Sequence, residues 1–180
     1  VLMSQYKRKL FATIGLNGKP VVMFKSKTIK ENNEFLNTFV DAIAHLQTEK
    51  IAFLRGLACD DLQKAFAYFS EHGISDENLI LELQEEFSQE RLLLIDGKSI
   101  TPEKQQHLNS LESPQNDYRA VFAVDMLNEG GDVLNLFDIV FASAVSSAFI
   151  PVYNTYLEKD GAKEGDRFAS AFINVLFVGS

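Results

Sequence analysis

Pro20-Val-Val-Met-Phe-Lys-Ser-Lys-Thr-Ile29 decides the fold class. Its first five residues form a short, β-branched apolar run with proline at the first position, where a missing N–H is tolerated, so the run reads as a buried strand. Lys25-Ser-Lys-Thr28 is then a polar loop. From about Glu31 the apolar residues fall at Phe35, Leu36, Phe39, Val40, Ile43, Ala44 and Leu46. That is the 3.6-residue period of a helix with one face against a sheet. Strand, loop and helix follow one another directly.

The same grammar continues downstream. Residues 51–57 fit more than one element. Leu62, Ala65, Phe66 and Phe69 mark a helix closed by Gly73, which can take the left-handed conformation that ends helices. Ser75 caps the next helix, with Leu79, Ile80, Leu83 and Phe87 inward and Glu82, Glu85 and Glu86 expected in water. Arg91-Leu-Leu-Leu-Ile-Asp-Gly97 reads as a second strand and its exit turn, and Thr101-Pro102 opens a helix over 102–112. Tyr118-Arg-Ala-Val-Phe-Ala-Val124 is a third strand and Phe137-Asp-Ile-Val140 a short fourth. Between these last two lies Asn128-Glu-Gly-Gly-Asp132, a turn whose glycines accept positive φ. Strands alternating with helices predict an α/β fold with a parallel sheet covered on both faces.

At 180 residues, 46% hydrophobic and 23% charged, the chain is long enough to bury a core. The single cysteine, Cys59, cannot close an intrachain disulfide, and no leader with a cleavage site opens the sequence. Both point to a reducing, cytoplasmic setting. The uncharged stretch 141–156 falls short of the ~20 apolar residues of a bilayer span and is broken by serines and Pro151, so no membrane segment is expected. A net charge of −8 argues against an indiscriminate nucleic-acid coat. The charge is nevertheless split: Lys7, Arg8, Lys9, Lys19, Lys25, Lys27 and Lys30 stand among the first 30 residues without one acid. This concentration is read as support for nucleic-acid binding beside the first loop.

Ligands of open parallel sheets bind at the carboxyl ends of the strands. Lys25, Ser26, Lys27 and Thr28 place two ammonium groups, two hydroxyls and loop amides ahead of a helix N-terminus, which suits a phosphate backbone. Taken alone, the same residues are an ordinary solvated strand-to-helix loop. After the third strand, Asp125, Glu129 and Asp132 surround Gly130-Gly131, where a carboxylate can accept a ribose hydroxyl. A capped turn is the ordinary alternative. His45, His72 and His107 lack metal-ligand spacing, and Cys59 reads as a buried inert thiol, so no metal site is expected. No G-x-S-x-G elbow or G-x-G-x-x-G turn is present, and no catalytic residue is assigned. The phenylalanines, Phe35, Phe39, Phe66, Phe69, Phe87 and Phe122 among them, are read as core.

In the order of its segments the chain resembles the second RecA-like domain of superfamily-two DEAD/DEAH-box helicases. In wording it looks like the helicase (Res) subunit of type III restriction enzymes. The likeness covers about residues 20–140. Lys19-Pro-Val-Val-Met-Phe-Lys-Ser-Lys-Thr-Ile29 resembles motif IV, and Leu94-Ile-Asp-Gly-Lys98 with helix 102–112 resembles the unit that follows it. Arg119-Ala-Val-Phe-Ala-Val-Asp-Met-Leu-Asn-Glu-Gly-Gly-Asp-Val133 looks like motif V, the most specific of the three, although Gly131 stands where the family usually carries a bulky residue. By that resemblance Lys25, Ser26 and Thr28 would touch the nucleic-acid backbone, with Lys27 in the same loop. Gly130 and Asp132, with Glu129, would face ATP, and Asp125 would link the two sites.

The resemblance also frames what the chain lacks. It has no G-x-x-x-x-G-K-[ST] loop and no D-E-x-[DH] site, so ATP and Mg belong to the complete enzyme with a first RecA-like domain. This chain alone is expected neither to hydrolyse ATP nor to bind it tightly. Where the family carries its arginine-finger helix Q-x-x-G-R-G-x-R, the sequence has Phe141-Ala-Ser-Ala-Val-Ser-Ser-Ala148, and Arg167 is the sole arginine beyond it. The expectation is a partial second RecA-like domain over 1–140, carrying a helical insertion at 51–90, and a divergent tail over 141–180. Phe172-Ile-Asn-Val-Leu-Phe-Val178 in that tail reads equally as an added edge strand or as an aggregation-prone segment. The expected partners are DNA, the missing first domain and a modification methyltransferase subunit. A non-catalytic α/β interaction module is the competing reading.

Overall fold

The computed structural model describes residues 1–16, 18–95, 100–111, 113 and 115–124, and the backbone of a strand at 136–141. In chain order these form α1 (Leu2–Thr13), β1 (Val21–Ser26), α2 (Ile29–Ala44), α3 (Thr48–Gly56), α4 (Asp60–Glu71) and α5 (Asp76–Glu86). Then come β2 (Leu92–Ile95), α6 (Pro102–Asn109), β3 (Ala120–Val124) and β4 (Leu136–Phe141). The tail beyond β4, including the run at 172–178, lies outside the described residues.

The helices begin where local chemistry starts them. Thr28 and Glu31 form a capping box on α2: Glu31 N–H donates to Thr28 Oγ1 and Thr28 N–H to Glu31 Oε2, each at 3.2 Å. Ser75 Oγ accepts from Asn78 N–H at 3.2 Å to start α5, and Thr101 with Pro102 at the first position starts α6. Gly73, at φ 68°, closes the turn after α4. Residues 51–57 belong mostly to α3.

All strand pairings are parallel and the order across the sheet is β2-β3-β1-β4. From β1 the chain crosses outward to β2 and then turns back to β3. Under right-handed crossover, that reversal puts the two sets of connecting helices on opposite faces. The side chains follow suit. Val22, Phe24, Leu92, Ala120 and Phe122 share one core with α2, α3, α4 and α5, whereas Val21, Met23, Leu93, Ile95, Val121 and Ala123 share another with Leu108 and Leu111. The first core centres on aromatic rings: Phe24 lies 4.9 Å from Phe122, and Phe39 lies 5.2 Å from Phe122 and 6.3 Å from Phe87, centroid to centroid. This is the α/β class read from the sequence, consistent with a RecA-like sheet.

Two features depart from that reading. The basic N-terminal segment contains a helix, α1, for which no strand-helix pattern prepared us. It packs on α4 through Tyr6, whose ring meets Tyr68 edge-on at 5.3 Å. The second departure corrects the expectation that Glu86 is solvated: it is only 8% exposed and sits among three guanidinium groups. Arg91 Nη1 reaches Glu86 Oε1 at 2.9 Å, while Arg8 and Arg119 both pair with Oε2. Arg119 is 1% exposed, stacks 5.0 Å above the Phe87 ring, and donates to Pro20 O at 3.3 Å and to Ser4 Oγ at 3.2 Å. Ser4 Oγ in turn donates to Pro20 O at 3.2 Å, and Lys9 Nζ and Gln5 Nε2 each reach Glu82 at 2.8 Å. The ionic cluster therefore ties α1 and α5 to the amino-terminal edge of the sheet.

Burial pushes the Glu86 carboxyl up, but Arg8, Arg119 and Arg91 outweigh it and hold the group below its ordinary 4.5. Its contribution is complete above that ordinary value and is lost as the pH falls through the lower folded value. Glu86→Gln, which leaves Arg119 buried without a counter-charge, is expected to cost about 3 kcal/mol in urea unfolding near neutral pH. The gap between variant and parent should shrink in acid; equal stability at neutral pH would contradict this role.

Candidate nucleic-acid interface

Parallel pairing of β1 with β3 puts their carboxyl ends side by side, with Ser26 registered against Val124. The stretch carrying Asp125, Glu129, Gly130 and Asp132, together with Gly131, begins directly after Val124 and lies outside the described residues. The described part of the candidate site is therefore the segment from Lys25 to Thr28, the end of β1 and the turn into α2.

The expectation of a four-residue loop is corrected here: Lys25 and Ser26 are the last residues of β1, registered against Ala123 and Val124 of β3, and only Lys27 and Thr28 lie between β1 and α2. Lys25 is half-buried, Ser26 is buried, and Lys27 and Thr28 are exposed. The alternation is that of a strand running out into solvent. Thr28 already has a structural role as the N-cap of α2, accepting from Glu31 N–H, but its hydroxyl proton remains available for an incoming acceptor. The box also satisfies the Thr28 N–H. The N–H groups of Ile29 and Lys30 are then the first-turn donors that helix geometry leaves for an anion. Glu31 tempers that site, because its carboxylate already occupies the positive end of the helix.

Among the described residues, two buried polar groups next to the loop have no hydrogen-bond partner: the Ser26 hydroxyl and both amide atoms of Asn32, a residue with no exposed surface. Buried polar atoms are nearly always paired, and leaving one unpaired costs about 1–3 kcal/mol. Asn32 was not singled out in the sequence. Its neighbour Glu31 was not read as part of a cap either, although the spacing Thr28-x-x-Glu31 is the signal that marks one.

The positive charge of the N-terminal segment does not converge on this loop. Arg8 and Lys9 pair with Glu86 and Glu82, and Lys19 Nζ donates to the backbone oxygen of Asn116 and, at 3.1 Å, to its Oδ1. Burial, with Arg119 nearby, brings the Lys19 ammonium down to about 8. These three side chains lie toward the amino-terminal edge, one strand length of roughly 20 Å from the loop. The expected single basic surface is thereby corrected to two separate sets. Elsewhere, His45 pairs with Asp41, His72 stacks on Tyr68 and Cys59 is buried. Among the described residues no three His, Cys, Asp or Glu side chains gather to hold a metal, and no helix is long and apolar enough to cross a membrane.

The chain is 28% identical over 161 residues to the probable type III restriction-modification enzyme HindVIP Res subunit of Haemophilus influenzae, covering 78% of this chain. It is similar to a restriction-enzyme Res subunit. The chain spans about a third of that relative, 31% of its length. The likeness agrees with the resemblance to type III restriction Res subunits read from the sequence. No family model matches the chain, and no solved structure matches it.

Two substitutions test the structural roles of the groups beside the loop. Asn32→Leu removes the unpaired amide at similar volume and should raise stability by about 1 kcal/mol. Thr28→Ala should lower it by about 1 kcal/mol through loss of the cap. Both are read from denaturant midpoints, and a destabilised Asn32→Leu would show that the amide is paired.

Proposed function

We propose that this chain is part of the motor of an ATP-dependent DNA helicase or translocase of the type III restriction kind, contributing the grip of a second RecA-like domain on the nucleic-acid backbone. The observation that carries the reading is the placement of Lys25, Ser26, Lys27 and Thr28 at the carboxyl end of β1, ahead of the α2 N-terminus. Ammonium groups there supply sequence-independent attraction to phosphates, and the Thr28 hydroxyl and first-turn amides supply directed donors. Asp125, Glu129, Gly130 and Asp132 would face the nucleotide and couple it to this grip.

ATP and Mg would be held by a first RecA-like domain. In the parent system the partners would be DNA, that first domain and a modification methyltransferase, all in the cytoplasm. A second reading, a non-catalytic interaction module, is favoured by one observation: Arg8, Lys9 and Lys19 serve the fold rather than a ligand surface.

Fluorescence anisotropy of a labelled single-stranded oligonucleotide, titrated at two salt concentrations, decides between them. Parent binding should weaken with salt. Lys25→Ala/Lys27→Ala should bind more weakly and flatten the log–log salt slope by about 1.4, at roughly 0.7 for each lost single-strand phosphate contact. Lys9→Ala should leave the slope unchanged. No binding at low salt would overturn the grip and leave the interaction module.

A further inference from the structure

At the opposite end of α2, about 24 Å from the loop for its 16 residues, the turn into α3 and the outer side of α5 enclose an open groove of about 490 Å3. Leu46, Ile80 and Leu81 line its apolar part, and Glu49 and Glu77 stand at its rim. Leu81 is 63% exposed, the most exposed large hydrophobic residue among those described, while its neighbour Ile80 is 8% exposed. Beside the groove, Gln84 Nε2 on α5 donates to Ala44 O at the end of α2, at 3.1 Å, which ties the two helices together there. Glu77, Leu81 and Glu85 follow one another at four-residue spacing, so an apolar side chain stands on the outer face of α5 with an acid one turn to either side.

The charge around the groove is unbalanced in a specific way. Residues 60–90 contain nine acids and one lysine. Most acids of α5 are matched internally: Asp76 by Arg55, Glu82 by Lys9, Glu85 by Arg91 at 3.6 Å, and Glu86 by its three arginines. Glu77 and Glu49, the two at the groove, have no cation partner among the described residues. Backbone and Ser75 hydrogen bonds hold Glu77 below its ordinary value, so it is ionised at neutral pH.

We propose that this groove docks a basic amphipathic segment of a partner protein. An apolar side chain of that segment seats on Leu46, Ile80 and Leu81, and lysines or arginines within a turn of it pair with Glu49 and Glu77. The two acids repel phosphate, which excludes nucleic acid and anionic lipid as occupants. The inference goes beyond the nucleic-acid grip and does not depend on it, because the groove and the loop occupy opposite ends of α2.

The test uses the full chain and a fluorescent helical peptide of lysine and leucine, with leucines repeating every three to four residues along one face. A scrambled peptide of the same composition, whose leucines do not share a face, is the control. The facially ordered peptide should bind at least about tenfold more tightly than the control, and Leu81→Ser should remove about tenfold of that affinity. Glu49→Gln/Glu77→Gln should weaken binding and reduce its salt dependence. Leu81 is exposed, so the variant should fold, which its unfolding curve checks; its oligonucleotide binding should match the parent, so failure here is distinct from failure of the grip. Equal binding of both peptides, or no effect of Leu81→Ser, would overturn the proposal. A concentration-dependent dimer abolished by Leu81→Ser would overturn it in favour of a second copy of the chain.

Discussion

Arg119 cannot enter the interior without a counter-charge, and Glu86 is the group that supplies it. A guanidinium this deeply buried is brought down to about 10 by loss of water, with Glu86 pulling the other way. Its desolvation must be offset by hydrogen bonds and an opposite charge, and here both are present: Glu86, Pro20 O and Ser4 Oγ surround it. Because the carboxylate is shared with Arg8 and Arg91, one residue at the end of α5 fastens α1, the approach to β2 and the approach to β3. The two apolar cores fill the faces of the sheet, and this cluster fixes one of its edges.

A parallel sheet has two unlike edges, and in this chain each has its own chemistry. The amino-terminal edge gathers charges that pair with one another. At the carboxyl edge polar groups are only partly used: Thr28 caps a helix with one face of its hydroxyl, and Ser26 and Asn32 are buried without partners among the described residues. The charge segregation visible along the sequence is thus divided in space. Its N-terminal bases serve the fold at one edge and set Lys25 and Lys27 at the other.

What was legible in the sequence was local. Strand β1, the caps at Ser75 and Thr101 and the closing turn at Gly73 are short-range patterns, and the aromatic core follows from helical spacing in α2. Helix α1 escaped notice because its sequence is rich in polar and charged residues, and its inward side includes Ser4 and Gln5. Glu86 was misassigned for an instructive reason. It follows Leu79 by seven residues and Leu83 by three, so spacing places it on the inward stripe, while its charge argued for water. The partner that makes burial tolerable, Arg119, lies 33 residues further on. At the candidate site the loop lysines were legible as a charge pattern after a strand. The solitude of Asn32 was not, since hydrogen-bond satisfaction is a property of the packed chain.

The contacts that lock α1 and β1 in place also set a schedule for synthesis. Ser4 waits for Arg119, 115 residues later, Lys19 waits for Asn116, 97 later, and Pro20 waits for Arg119, 99 later. At about 5–20 residues per second, a hundred residues take roughly 5–20 s to emerge. Through that interval the apolar strand at the heart of the sheet has no β3 to pair with, and the first helix has no ionic seat. The emerging chain therefore carries this apolar strand without its β3 partner for seconds, and the sheet closes only once the residues around Arg119 have been made.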